Sequence, residues 1–159
     1  MPNWSDIHPA LVHFPIAFLF IAPLFLVIGA IFKKQDFKTT FLILLLLGTL
    51  SIILATATGE AAGEKITVIT DALLETLDHH ESSAERSKTI FIILSIAAIA
   101  WHFFRTRASI IPSQIKSTAI SLFVCLYGFG LLTLSTAAHH GGGLVHHHGV
   151  HSDLFKETQ

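Results

Sequence analysis

The stretch "FLILLLLGTLSIILATATGEAA" at 41–62 decides the fold class. Its only charged residue is Glu60, near its end. A helix needs roughly 20 predominantly apolar residues to cross the hydrocarbon core of a bilayer, and this run meets that length. Working outward, three more apolar runs appear, at Leu11–Phe32, Thr89–Phe104 and Thr118–Ala138. The third is short and reaches across only if polar neighbours such as Ser87 and Lys88 lie in the headgroup zone. One such run fits a buried helix of a soluble domain; four in 159 residues point to a membrane protein.

Composition agrees. The chain is 52% hydrophobic and only 13% charged, and its formal net charge of −1 argues against nucleic acid as a partner. The lone cysteine, Cys125, lies inside an apolar run. It offers no disulfide framework and no CxxCH, which excludes a covalently attached c-type haem. The expected architecture is an all-α integral membrane four-helix bundle over residues 1–151, followed by a short tail at 152–159. The first segment lacks the basic start of a signal peptide and reads as a retained helix, with Ser5 or Asp6 as its cap, Pro9 in its first turn, and Pro15 and Pro23 inside it.

Lys33, Lys34 and Lys38 follow the first run, and Arg105, Arg107 and Lys116 follow the third. The positive-inside rule puts those two connections in the cytoplasm and both termini outside. The long connection 60–88 is then also outside. It carries Ile66, Ile69, Leu73, Leu74 and Leu77 at helical spacing, which predicts a short amphipathic outer helix between membrane helices two and three. Asp78 or a neighbour is expected to start helix three. No internal repeat is evident. Gly48, Gly59 and the "GFG" at 128–130 read as close-packing positions between helices.

This topology sorts the eleven histidines. His8 and His13 fall at the outer start of helix one, and His79 and His80 at the outer start of helix three. His139, His140, His146, His147, His148 and His151 fall at the outer end of helix four and beyond. Only His102, beside Trp101, falls near the inner side. His13 sits in the apolar context "LVHFPIA", where an unpaired imidazole is costly and a partner is expected. In "AAHHGGGLVHHHGV" at 137–150 the glycines are expected to let the chain turn and bring His146 or His148 back over the bundle mouth.

Neutral imidazole is a common ligand for haem iron, copper and zinc. Haem b needs only one or two axial histidines, and facing helices of a bundle can supply them. A zinc or copper site would take three or four. Glu81, beside His80, is a candidate to orient a ligand imidazole.

The motifs "IHPALVHFPIAFL" at 7–19, "ATATGEAAGE" at 55–64, "DHHESS" at 78–83 and "HHGGGLVHHHGV" at 139–150 together resemble a bacterial four-helix membrane domain of unknown function, family two-two-three-one. The resemblance covers about residues 5–150. His8 and His13 match its "HPxLVHFP", and His80 with Glu81 matches its "HE". Gly142, Gly143, Leu144, Val145, His148 and Gly149 match its "GGxLVxxHG", whereas His139 and His146 match a variant, "HxGGxLTH", of members fused to cytochrome c modules. The resemblance implies a bacterial inner-membrane protein, with a separate cytochrome or other redox protein as any electron partner. The leading expectation is a haem b protein for electron transfer rather than an enzyme. His13 and His80 are its axial pair, with His139, His140 and His148 as alternates. The alternatives are a copper or zinc site drawn from His8, His13, His80, His139, His146 and His148, or a non-catalytic subunit of a larger membrane complex.

Overall fold

The computed structural model describes residues 4–64, 66, 70–104 and 112–150. The elements are α1 (Trp4–Leu11), α2 (His13–Ile31), α3 (Gln35–Gly63), α4 (Asp71–Phe104) and α5 (Ser113–His146). Four spans, Ile7–Ile31, Gln35–Gly63, Asp71–Phe104 and Ser113–His146, are long and apolar enough to cross a membrane. The chain is an all-α four-helix membrane bundle.

The first span combines α1 and α2. Val12 between them keeps right-handed helical angles (φ −62°, ψ −23°), and its N–H donates to His8 O at 3.2 Å. Pro15 has no N–H to give to the Leu11 carbonyl, so one rung of the helical ladder is missing here. Helix α1 already starts at Trp4, so Ser5 and Asp6 lie within it and Pro9 is past its first turn. A tight connection at Phe32–Lys34, with Lys33 in the left-handed region (φ 52°), returns the chain into α3. Helices α2 and α3 thus form one antiparallel pair, and α4 and α5 a second.

The outward faces carry Phe103, Leu122, Ile31 and Leu132, each about two-thirds or more exposed. Such a surface is wrong for water and right for lipid, where close packing and polar contacts hold helices together. The interior supplies both. Leu19, Leu45, Phe91 and Leu94 are fully buried, with Ala22, Phe41, Ile52, Ile90, Tyr127 and Leu134 around them. Between the helices, Thr49 Oγ1 meets Ser95 Oγ at 2.8 Å, and Ser87 Oγ meets Thr133 Oγ1 at 2.8 Å and donates to Gly130 O at 3.2 Å. Tyr127 donates its hydroxyl to Leu19 O at 2.7 Å. Among the described residues no buried side-chain nitrogen or oxygen lacks a partner.

Two expectations are corrected. No separate amphipathic helix stands between α3 and α4 among the described residues, because 71–88 is continuous with the third membrane helix. At 1.5 Å per residue, the 34 residues of α4 reach about 51 Å, well past the roughly 30 Å hydrocarbon core, so the polar turns continue the same rod beyond the bilayer. Its Leu73 packs on Leu144 and Val150, with Ile66 and Leu77 against them. This contact holds α4 to α5 outside the lipid and keeps both helical there. The glycine triplet 141–143 accordingly does not turn: α5 runs through it to His146. The turn comes later, at Gly149 (φ 67°), where Val150 N–H donates to Leu144 O at 3.0 Å. His151, Ile69, Arg105, Arg107 and the tail 152–159 lie outside the described residues.

Candidate functional site: a two-histidine cavity

The end of α1 with the start of α2, the end of α3, the first half of α4 and the end of α5 meet at one end of the bundle. They enclose a cavity of about 840 Å³. Its floor is apolar, from Val12, Ile16, Ile52 and Leu134, and its walls are narrowed by small residues, Ala55, Gly59, Gly63, Ala137 and Gly141. Glu60, Asp78, Glu81 and Glu85 also line it, and no lysine or arginine does among the described residues. A volume of this size with a few convergent polar groups is typical of a small-molecule or cofactor site.

Two imidazoles enter from opposite walls. His8, on α1, shares its Nδ1 proton between Ala55 O at 3.0 Å and Thr58 Oγ1 at 3.1 Å. His80, on α4, donates from Nδ1 to Ala137 O at 2.8 Å. A carbonyl can only accept, so each ring carries a proton on Nδ1. Metal-bound histidines characteristically show this arrangement, with the second nitrogen tied to a carbonyl, carboxylate or water. The two rings face each other edge-on, with centroids 6.5 Å apart and planes at 84°. Each lies on a glycine. A Cβ on Gly59 would come within 3.0 Å of His8 Cε1, and one on Gly141 within 2.9 Å of His80 Cε1.

The expected pair was His13 with His80; the ring that meets His80 is His8. His13 opens α2, is exposed, and lines only part of the cavity wall. Glu81 does not hold His80, whose Nδ1 goes to the Ala137 carbonyl; its Oε1 reaches across toward Gly63 instead. His139 and His140 do not line the cavity. They stand outside it, 5.5 Å apart between ring centroids, and His140 stacks on His79 at 5.2 Å. His146 lines the cavity but is exposed. His148 does turn back onto α4, where its Nε2 lies 3.2 Å from Thr76 Oγ1, clear of the cavity lining. Among the described residues no three His, Cys, Asp or Glu side chains gather to hold an ion. The expected three- or four-ligand set is therefore not assembled.

Over residues 5–154 the sequence matches the family model described as a predicted membrane protein, DUF2231. The chain belongs to this family. No curated protein and no solved structure matches the chain. Within this DUF2231 domain, the histidine of the "HP" motif, His8, and that of the "HE" motif, His80, form the facing pair. The glycines of the second and fourth motifs, Gly59 and Gly141, are the surfaces those rings rest on.

Proposed function

We propose that this membrane protein binds haem b between His8 and His80 and passes electrons near the face of the membrane where the histidines cluster. One observation carries the reading: two carbonyl-anchored imidazoles from different helix pairs face each other across a cavity of about 840 Å³. Two imidazoles on opposite sides of one metal, at metal–nitrogen distances of about 2 Å, have centroids about 6 Å apart. The 6.5 Å separation is close to that. Haem needs no third protein ligand, which suits a cavity where two imidazoles face each other and, among the described residues, no three donors gather. The apolar floor offers surface against which a porphyrin can pack. Bound iron would supply one-electron chemistry; the protein's part is to fix both ring orientations and exclude water. Under the positive-inside reading this end faces out of the cytoplasm, so a redox partner would be a separate protein on that side.

The four carboxylates around the cavity, with no lysine or arginine among its described lining, favour a second reading. They would repel haem propionates and attract a bare cation. In that reading the site holds copper or zinc through His8 and His80, completed by a rim carboxylate or water. A reduced-minus-oxidised spectrum of detergent-purified protein, expressed with adequate haem, separates the two. Haem binding gives a Soret band that His8→Ala and His80→Ala each alter. A colourless protein that retains stoichiometric copper or zinc gives the site to the cation.

A further inference from the structure

The two imidazole environments share the same acceptor and the same support, although only His8 also meets a threonine hydroxyl, Thr58 Oγ1. On α3, Ala55 O accepts from His8 and Gly59 supports its ring; on α5, Ala137 O accepts from His80 and Gly141 supports its ring. Alanine and glycine are four residues apart in both cases, and the two sets are offset by 82 positions (137 − 55 and 141 − 59). The correspondence continues down the helices. Every residue buried on α5 (Tyr127, Gly130, Leu134, Ala137, Leu144) has a buried counterpart 82 positions earlier on α3 (Leu45, Gly48, Ile52, Ala55, Ala62). On the partner helices the offset is 72: His8 with His80, Leu19 with Phe91, Ala22 with Leu94. A Cβ on Gly48 would strike the Leu19 side chain at 2.6 Å, and one on Gly130 would meet Phe91 Cζ at 3.1 Å. Each pair is therefore pinned at two equivalent points, 11 residues or about 16 Å of helix apart.

The acceptors of two contacts between the pairs also correspond. Tyr127 of α5 donates to Leu19 O on α2, and Thr49 Oγ1 of α3 lies 3.4 Å from Phe91 O on α4. Leu19 and Phe91 are counterparts; the donors are not, since Tyr127 corresponds to Leu45. Burial register and ring support thus report the same relation independently.

We infer that the chain is an internal repeat of one histidine-bearing helix pair, that Gly59 and Gly141 are equivalent positioning residues for His8 and His80, and that the two half-sites close on a single shared ligand. The shared-ligand part rests on the function proposed above; the repeat and the positioning roles do not. The glycines act by letting the ring approach the neighbouring helix closely, so that Nδ1 reaches the carbonyl one turn back. A methyl group at either position lifts its own ring and leaves the other in place.

Imidazole ¹⁵N NMR of the ligand-free full chain in detergent tests the positioning without any cofactor. The wild type shows both His8 and His80 as Nδ1–H tautomers. Gly59→Ala shifts the His8 resonances only, and Gly141→Ala those of His80 only. An Nε2–H tautomer at either histidine, or a glycine variant that leaves its own ring unmoved, overturns the positioning claim. The wild-type tautomers decide even if a glycine variant does not fold.

Titration with haemin, and separately with Zn²⁺, tests the shared ligand. One equivalent binds per chain, and His8→Ala and His80→Ala each weaken it by about tenfold or more, as each glycine variant does within the 10- to 100-fold range of lost second-sphere support. Zn²⁺ binding that needs both histidines, without haemin binding, removes the haem reading and keeps this one. Haemin binding that His8→Ala does not affect keeps the haem reading and removes this one. Two equivalents per chain, each lost with one histidine, or no binding of either probe, removes the shared ligand.

Discussion

Away from the histidines the bundle is closed by rings. Phe41 lies 6.2 Å from both Phe123 and Tyr127, and Phe91 meets Tyr127 edge-on at 5.3 Å. At the histidine end the same helices present Ala55, Gly59, Ala137 and Gly141, and the space between them stays open. Helix length, direction and pairing are common to both ends, so side-chain volume alone separates a packed end from a cavity. The packed end fixes register; the open end inherits that register and uses it to aim two imidazoles.

The contrast is broken most severely at the packed end. Phe91→Ala is expected to cost about 3 kcal/mol, the lower part of the Phe→Ala range, because lipid rather than water receives the freed surface. Unfolding in mixed detergent reads this as a lowered midpoint; a loss no larger than that of His80→Ala would mean that the aromatic block does not set the register. Gly48→Ala comes next, at about 1–3 kcal/mol, because the new methyl would sit on the Leu19 side chain. An unchanged midpoint would show that α2 and α3 are not in that close contact. Tyr127→Phe deletes the hydroxyl bond to Leu19 O and should cost about 0.6 kcal/mol, near the mean for such bonds between membrane helices. At the open end, His139→Ala should leave both stability and cofactor content unchanged, since its ring lies outside the cavity. Loss of cofactor in that variant would move the site to the His79–His139–His140 group.

The membrane spans were legible in the sequence because a lipid core imposes a length and a polarity that no local preference overrides. The apolar stripe with Leu73 and Leu77 marks a helix in the 60–88 connection, but its continuity with the third span is not legible, since the polar turns between them carry no apolar signal. The glycine triplet misled for a related reason. Glycine favours turns in isolation, but here it continues a long helix that Leu144 holds against Leu73. At the site, the histidine face was readable and the pairing was not. His13 drew attention through its apolar neighbours, yet it is exposed; His8, five residues earlier, falls on the face of α1 that packs on α3. The repeat inferred above is not legible in the sequence because its halves share a burial pattern and little identity. Its written traces are Asp6-x-His8 beside Asp78-x-His80, and Ala55-x-x-x-Gly59 beside Ala137-x-x-x-Gly141.

The rung missing at Pro15 leaves the two facing rings unequally backed. His80 rides on an unbroken 34-residue rod, whereas His8 rides on an eight-residue arm joined to its span where a proline has removed one rung. For the shared ligand inferred above, a difference in size would be met most cheaply by tilting α1 at this joint, a movement opposed by the His8 bonds to α3 and remote from the packed aromatic end.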